Sequence, residues 1–114
     1  MDDEAARQRL EAEQQRVQGL ISELHTELDA DSESEDAEKT TYDPAGRGSD
    51  TFEREKDISI LDSLEAELAE IEAAIERIEN GTYGIDEVTG EPIDPSRLDA
   101  VPAARTNVDT AREQ

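Results

Sequence analysis

The sequence contains no cysteine, no tryptophan, one phenylalanine and two tyrosines. Without cysteine the chain has no disulfide, no thiolate metal site and no redox motif. No stretch approaches the roughly 18 apolar residues of a membrane span, and no apolar segment follows the amino terminus, so we expect a soluble, cytoplasmic protein. Leu, Ile, Val and Phe make up only about 18% of the chain, which excludes a large globular core.

Positive charge is also scarce. There are 11 basic residues, of which only Lys39 and Lys56 are lysines, against 32 acidic residues, and the net charge is −21. This balance excludes binding to DNA or RNA phosphates through a basic face. A uniformly acidic surface is typical of proteins from a high-salt cytoplasm, where salt screens the repulsion between like charges. A halophilic source is one interpretation, and an ordinary acidic regulator is the other.

The apolar residues that are present follow a regular pattern in the second half of the chain. Six of them are spaced by three or four positions: Leu61, Leu64, Leu68, Ile71, Ile75 and Ile78. This is the spacing of the a and d positions of a heptad. With Asp50 and Glu53 as a start signal and Asn80-Gly81 as a stop signal, the pattern predicts a helix of about 30 residues.

A second amphipathic stripe lies nearer the amino terminus. It consists of Leu10, Val17, Leu20, Ile21, Leu24 and Leu28. Two apolar stripes of similar length predict a long antiparallel coiled-coil hairpin over residues 1–80, because pairing buries both stripes. Between them, residues 29–50 combine a run of acids with Pro and Gly, which predicts an acidic loop at the tip of the hairpin.

The helical period ends at Gly81, and residues 81–114 form a predicted second, small module. A short β-hairpin is expected around Thr89-Gly90, then a short helix from Pro95 to Ala100 and another from Ala103 to Arg112. The expected core of this module is Tyr83, Ile85, Val88, Ile93, Leu98, Val101 and Val108. Such a core is thin, since domains below about 40 residues usually need a metal or a disulfide.

The residues give no indication of catalysis. His25 is the only histidine, and it lies on the first predicted helix without a partner or a pocket for a general base. A calcium loop beginning at Asp29 would need Gly at its sixth and Glu at its twelfth position, where this chain has Ser34 and Thr40. A hairpin also offers no cleft of ligand size. We therefore predict that the chain is not an enzyme.

Several motifs resemble the DksA/TraR family. They are Asp43-Pro44-Ala45, Thr51–Asp57, Arg77–Gly84, Gly90–Ile93 and Arg97–Ala104. Members of that family carry a coiled-coil hairpin whose tip enters the secondary channel of bacterial RNA polymerase, beside a small four-cysteine zinc ribbon. The resemblance implies a mainly α fold with a degenerate zinc-ribbon-like module. It also implies a transcription regulator that binds RNA polymerase without direct contact with DNA.

The chain departs from the family pattern at the zinc ribbon. The four positions that correspond to the zinc-binding cysteines hold Asp86, Thr89, Asn107 and Thr110. Structural zinc sites use thiolate or imidazole ligands, which these residues do not supply. We therefore predict that the chain binds no zinc and no other cofactor. Its small core and local hydrogen bonds would hold the module, for example by Asp86 accepting from nearby backbone N–H groups.

The tip departs from the family pattern as well. The predicted partner-binding tip consists of Asp43, Pro44, Ala45, Arg47 and Asp50. The first four lie within the six positions that the resemblance assigns to the tip, and Asp50 is included as a nearby acid that could supply the missing charge. The family's second tip acid is replaced by Gly46, and its tip alanine by Gly48. The alternative interpretation is therefore an acidic coiled-coil adaptor or nucleic-acid mimic that no longer acts on RNA polymerase. In either case we expect a monomer or a weak dimer, with no membrane and no direct nucleic-acid partner.

Overall fold

In the computed structural model, the described backbone covers residues 3–37 and 44–113, and the described side chains are those of residues 3–29 and 52–113. Four helices follow one another in this part of the chain: α1 (Asp3–Ala37), α2 (Pro44–Asn80), α3 (Pro95–Ala100) and α4 (Val108–Glu113). The chain divides into two compact units, Val17–Glu67 and Met1–Arg16 with Leu68–Gln114. The domain boundary at residues 80 and 81 that the sequence suggests stays a prediction.

The end of α2 confirms the stop signal in the sequence. Gly81 has a φ of +77°, in the left-handed region that glycine adopts without strain. Its N–H donates to the carbonyl of Ile78 at 3.2 Å, and the N–H of Thr82 donates to the carbonyl of Arg77 at 2.8 Å. These two bonds form a Schellman motif, which satisfies carbonyls that the helix leaves without partners.

The sequence predicts a loop over residues 29–50, and this prediction is wrong for residues 29–37 and 44–50, which lie in helices. α1 continues to Ala37, and α2 begins at Pro44. No Gly or Pro interrupts the acidic run after Asp29, so its backbone continues the helix, while Pro44 occupies a favourable first helical position. Gly46 and Gly48 lie within α2, although each costs about 1 kcal/mol relative to alanine.

The unit Val17–Glu67 pairs the carboxyl-terminal part of α1 with the amino-terminal part of α2. Arg54 Nη1 donates to the carbonyl of Leu28 at 3.3 Å, and His25 Nε2 lies 3.7 Å from Glu65 Oε1. Residues later in α1 thus meet residues earlier in α2, so the two segments are antiparallel. Among the described side chains of this unit, the buried apolar ones are Val17, Leu28 and Leu61. Their burial confirms the two predicted stripes, although Leu20 of the first stripe is exposed.

The second unit contains the first turns of α1, the last turns of α2 and the carboxyl-terminal residues. Its helical part buries Ala6, Leu10, Ile71 and Ala74. Both alanines are completely buried, and side chains this small allow helix backbones to approach closely. Across the same surface, Arg7 Nη2 lies 2.9 Å from Glu79 Oε1.

The two short helices differ in how well the sequence predicts them. α3 follows the prediction: Asp94 caps it by accepting from the N–H of Ser96 at 2.9 Å, and Pro95 is its first residue. The last helix begins at Val108 instead of Ala103. Residues before Val108 are held in other ways, since the carbonyls of Ala103 and Thr106 accept from arginine side chains at 3.2 and 3.3 Å.

The predicted β-hairpin is not formed. Within the described residues, strand pairing is limited to one isolated antiparallel bridge between Ile85 and Pro92. Two backbone hydrogen bonds of 2.8 Å flank it, from the N–H of Asp86 to Glu91 and from the N–H of Ile93 to Gly84. The chain turns between Asp86 and Glu91, which leaves too few residues on either side to extend a ladder.

The core of the carboxyl-terminal residues also differs from the prediction. Four of the seven apolar residues expected there are exposed, namely Ile85, Val88, Val101 and Val108. The observed core consists of Tyr83, Ile93, Leu98 and Ala104 together with the polar residues Asp86, Thr106 and Thr110. A turn and a late-starting helix direct the missing apolar side chains outward, so polar groups take their places.

A leucine pair on α1 tests the assignment of the buried face. Leu10 is 1% exposed and Leu20 is 36% exposed. We expect Leu10→Ala to lower the free energy of unfolding by about 2–5 kcal/mol, because it leaves a cavity in the core. Leu20→Ala, the matched control on the same helix, should lower it by much less. Chemical denaturation followed by helical circular dichroism measures both, and equal losses would contradict the assigned face.

Candidate functional site in the carboxyl-terminal residues

Asp86 is a fully buried carboxylate, with no exposed surface. A buried charge is unfavourable unless it is paired or hydrogen-bonded. Its Oδ1 atom accepts from the backbone N–H of Val88 at 2.9 Å and of Thr89 at 3.1 Å. Its Oδ2 atom accepts from the N–H of Asn107 at 2.9 Å, and the side chain of Thr110 also hydrogen-bonds to the carboxylate. The charge is therefore compensated by donors from two separate segments.

The local sequence explains how the turn around Asp86 forms. An aspartate side chain readily accepts from N–H groups two and three residues later, as it does here from Val88 and Thr89. The carbonyl of Asp86 accepts from the N–H of Gly90 at 2.8 Å, and Gly90 closes the turn with a φ of +76°. Both the backbone and the side chain of Asp86 are thus engaged within one short turn.

The other residues at the positions that the resemblance assigns to zinc ligands extend this network. Asn107 Oδ1 accepts from the N–H of Asp94 at 2.8 Å, and Asn107 Nδ2 donates to the carbonyl of Pro92 at 3.1 Å. Thr89 Oγ1 accepts from the N–H of Glu91 at 3.2 Å. We call Asp86, Thr89, Asn107 and Thr110 together the Asp86 knot. The structure brings all four positions together, and the predicted bonds from backbone N–H groups to Asp86 are confirmed.

The Asp86 knot changes the acidity of its central carboxyl group. Burial by itself would raise the pKa of Asp86, because it disfavours the charged form. The hydrogen bonds from the N–H groups of Asn107, Thr89 and Val88 and from Thr110 outweigh that effect and lower the pKa to about 2. Asp86 is consequently ionised at neutral pH.

The residues of the knot do not fit a zinc ion. The carboxylate of Asp86 is surrounded by N–H and O–H donors, whose positive ends point at the place where a cation would have to approach. Both polar atoms of the Asn107 amide are occupied by backbone partners. Across the described part of the chain, no group of three or more His, Asp or Glu residues is arranged to hold a metal ion. The absence of zinc from the protein itself stays a prediction.

Two arginines that the sequence analysis did not single out attach the carboxyl-terminal residues to α2. Arg105 forms ion pairs with Glu70 at 2.6 Å and with Glu87 at 3.3 Å. Arg77 Nη2 donates to the carbonyls of Ala103 and Ala104, while its Nη1 atom is buried without a partner. Burial lowers the pKa of Arg77, and the nearby charge of Arg105 adds to this effect. The only feature of the sequence that could have indicated these contacts is that the chain has nine arginines but only two lysines.

The side chains of all five predicted tip residues lie outside the described part of the chain. Asp43 is outside the described residues, whereas Pro44, Ala45, Arg47 and Asp50 are part of the backbone of α2. The side chains of these four residues are likewise outside the described part. Their predicted role in binding a partner remains a prediction.

One open groove is larger than the sequence analysis expected. It has a volume of about 810 Å³ and lies in the unit that contains the first turns of α1 and the last turns of α2. Its lining is mainly Glu, Gln and Ala, and its single basic residue, Arg7, is paired with Glu11 and Glu79. The lining includes no His, Ser or Thr, so the groove offers no nucleophile activated by a base.

Among the described residues, none of the helices is long and apolar enough to cross a bilayer.

The depressed pKa of Asp86 predicts how the knot responds to acid. Its folded pKa of about 2 lies below the ordinary value of 3.8, so its stabilising effect is complete above about pH 4 and is lost as the pH falls through 2. In an NMR titration, the amide signals of Val88, Thr89 and Asn107 should change with a midpoint near pH 2. A midpoint near pH 4 would contradict the assigned hydrogen bonds.

The chain is similar in sequence to known proteins. No model of a protein family matches the chain. It is 49% identical over 72 residues to the uncharacterized protein YteA of Bacillus subtilis, which covers 60% of this chain and 30% of YteA. It is 37% identical over 67 residues to the RNA polymerase-binding transcription factor DksA of Caulobacter vibrioides, which covers 59% of this chain and 47% of that protein.

A solved structure agrees with these sequence matches. The transcription factor DksA2 from Pseudomonas aeruginosa superposes with a TM-score of 0.80 at 27% identity, over 98% of this chain and 81% of DksA2. The chain spans less than half the length of each of these two relatives. The resemblance to the DksA/TraR family is confirmed, because the chain has a DksA-like fold although it contains no cysteine.

Proposed function

We propose that this chain is a cytoplasmic transcription regulator that binds RNA polymerase and inserts the tip of its helical hairpin into the secondary channel. The observation that carries the proposal is the superposition of 98% of the chain on the transcription factor DksA2. The match to a DksA that is named as RNA polymerase-binding supports the same partner. The regulator would act as a monomer or a weak dimer and would carry no catalytic activity of its own.

The distribution of charge supports a protein partner over DNA. Most of the described arginines donate to groups within the chain. Those that donate to backbone carbonyls are Arg9, Arg54, Arg77 and Arg97. Arg7, Arg16 and Arg105 pair with glutamates. Since the acids greatly outnumber these bases, the surface is predominantly negative and repels a phosphate backbone.

The proposed contact with RNA polymerase is made by the tip residues Asp43, Pro44, Ala45, Arg47 and Asp50. Asp43 keeps the first acid of the family's tip pattern, and Arg47 and Asp50 supply further charges close to it in the sequence. The backbone of Pro44, Ala45, Arg47 and Asp50 belongs to the first two turns of α2. A helix gives these residues fixed spacing, which favours a defined contact over a loose loop.

The departures at the tip favour a second candidate function. With Gly46 and Gly48 in place of the family's acid and alanine, the tip has lost side chains that could contact the enzyme. An acidic adaptor or nucleic-acid mimic would instead bind a basic partner through its overall charge of −21. Such binding would fall steeply with salt and would not depend on Asp43.

Direct binding to RNA polymerase separates the two functions. We expect the full chain to associate with purified polymerase core in biolayer interferometry at the ionic strength of the source cell. Asp43→Ala should weaken this association at least tenfold, because the tip contact loses its acid. Asp62→Ala is the matched control, since Asp62 is an exposed acid of α2 with the same charge. Equal affinity of the two variants would contradict the tip contact, and no binding would contradict the polymerase as partner.

The response to salt tests the interpretation of the charge. If the chain comes from a high-salt cytoplasm, its helical circular dichroism and melting temperature should rise between 0.1 and 2 M KCl. The reason is that the Debye length falls to about 3 Å at 1 M and screens the repulsion between acids. Full helix content in dilute buffer, without any increase in salt, would contradict the halophilic interpretation.

A further inference from the structure

The carboxyl-terminal residues are too few and too polar to be organised by apolar burial alone. From Gly81 onward, the apolar core consists of Tyr83, Ile93, Leu98 and Ala104. In isolation a segment of this length normally needs a metal ion or a disulfide, and here it belongs to the same compact unit as the first turns of α1 and the last turns of α2. The chain has no cysteine for a disulfide, and the Asp86 knot does not fit zinc. Another group must therefore fix the relative positions of its segments.

Asp86 is the group that joins the two segments. It lies 21 residues before Asn107, and its Oδ2 atom accepts a hydrogen bond from the N–H of that residue. Its Oδ1 atom accepts hydrogen bonds from the N–H groups of Val88 and Thr89. Thr110, in the first turn of α4, contributes a side-chain hydrogen bond to the same carboxylate. The four positions of the knot thus form two pairs, Asp86 with Thr89 and Asn107 with Thr110, and the residues of each pair are three positions apart. The other three residues all donate to the carboxylate of Asp86.

We propose that the Asp86 carboxylate does the structural work of a metal ion in these residues, so that they fold without any metal. The electrostatic arrangement is the reverse of a zinc site. A zinc ion is a cation that negatively charged or lone-pair donors surround, whereas Asp86 is an anion that N–H and O–H donors surround. Either centre ties the same two segments together. The proposal is independent of RNA polymerase and goes beyond the proposed function.

Other links also hold these residues to α2 and to one another. Arg77 and Arg105 connect Ala103, Ala104 and Glu87 to α2. The N–H of Glu87 donates to the carbonyl of Arg105 at 3.0 Å, but this single neutral bond lies at the edge of the knot. If the arginine links were sufficient, neutralising Asp86 would change little.

An isosteric substitution provides the first test. In Asp86→Asn, one acceptor oxygen becomes an NH₂ group that faces N–H donors, so the knot loses acceptors without losing volume. Asp109→Asn is the matched control, because Asp109 is an exposed acid of the neighbouring helix α4. We expect amide hydrogen exchange at Val88, Thr89 and Asn107 to become at least tenfold faster in Asp86→Asn and to stay unchanged in Asp109→Asn. Equal exchange in the two variants would overturn the proposal.

Metal binding provides the second test. The full native chain, stripped of metal and given one equivalent of zinc, should bind none at these residues, with no change in melting temperature. A variant in which Asp86, Thr89, Asn107 and Thr110 are all replaced by cysteine should bind one zinc and recover slow amide exchange only when zinc is present. Stoichiometric zinc on the native chain would overturn the proposal. So would slow exchange in the four-cysteine variant without zinc, or its failure to bind zinc.

Discussion

The hydrogen bonds to the Asp86 carboxylate are the interaction on which the carboxyl-terminal residues depend. They bring together a turn and the start of α4, which are 21 residues apart in the sequence. A buried carboxylate is stable only when donors surround it, and this requirement fixes the positions of Val88, Thr89 and Asn107. Apolar residues that the sequence places nearby, such as Ile85 and Val88, are exposed, while Asp86, Thr106 and Thr110 are buried.

A second constraint comes from the scarcity of positive charge. In a chain with a net charge of −21, the described arginines serve mainly as internal cross-links. Arg9 and Arg77 donate to carbonyls of the carboxyl-terminal residues, and Arg105 donates to Glu70 of α2. Guanidinium groups suit this role because their fixed donors can reach several acceptors at once. The outer surface is left acidic, which is consistent with a regulator whose proposed partner is a protein.

The features that depend on local periodicity and turn chemistry could be predicted from the sequence, and those that depend on packing could not. The heptad spacing predicts the buried face of α2, and Asn80-Gly81 predicts its end, because both effects act within a few residues. The extension of α1 to Ala37 was not predicted, since charge repulsion proved weaker than the tendency of an uninterrupted helix to continue. The bonds to Asp86 from its own turn could be foreseen, but the bond from Asn107 depends on tertiary structure.

The central claim is that an anionic carboxylate organises these residues in a chain that has the DksA fold. Through-hydrogen-bond NMR couplings test it most directly, because they detect the electrons shared between donor and acceptor. In a ¹³C,¹⁵N-labelled sample, the account predicts couplings from the amide nitrogens of Val88, Thr89 and Asn107 to the side-chain carboxyl carbon of Asp86. Absence of these couplings, with Asp86 exposed to solvent or bound to a metal, would contradict it.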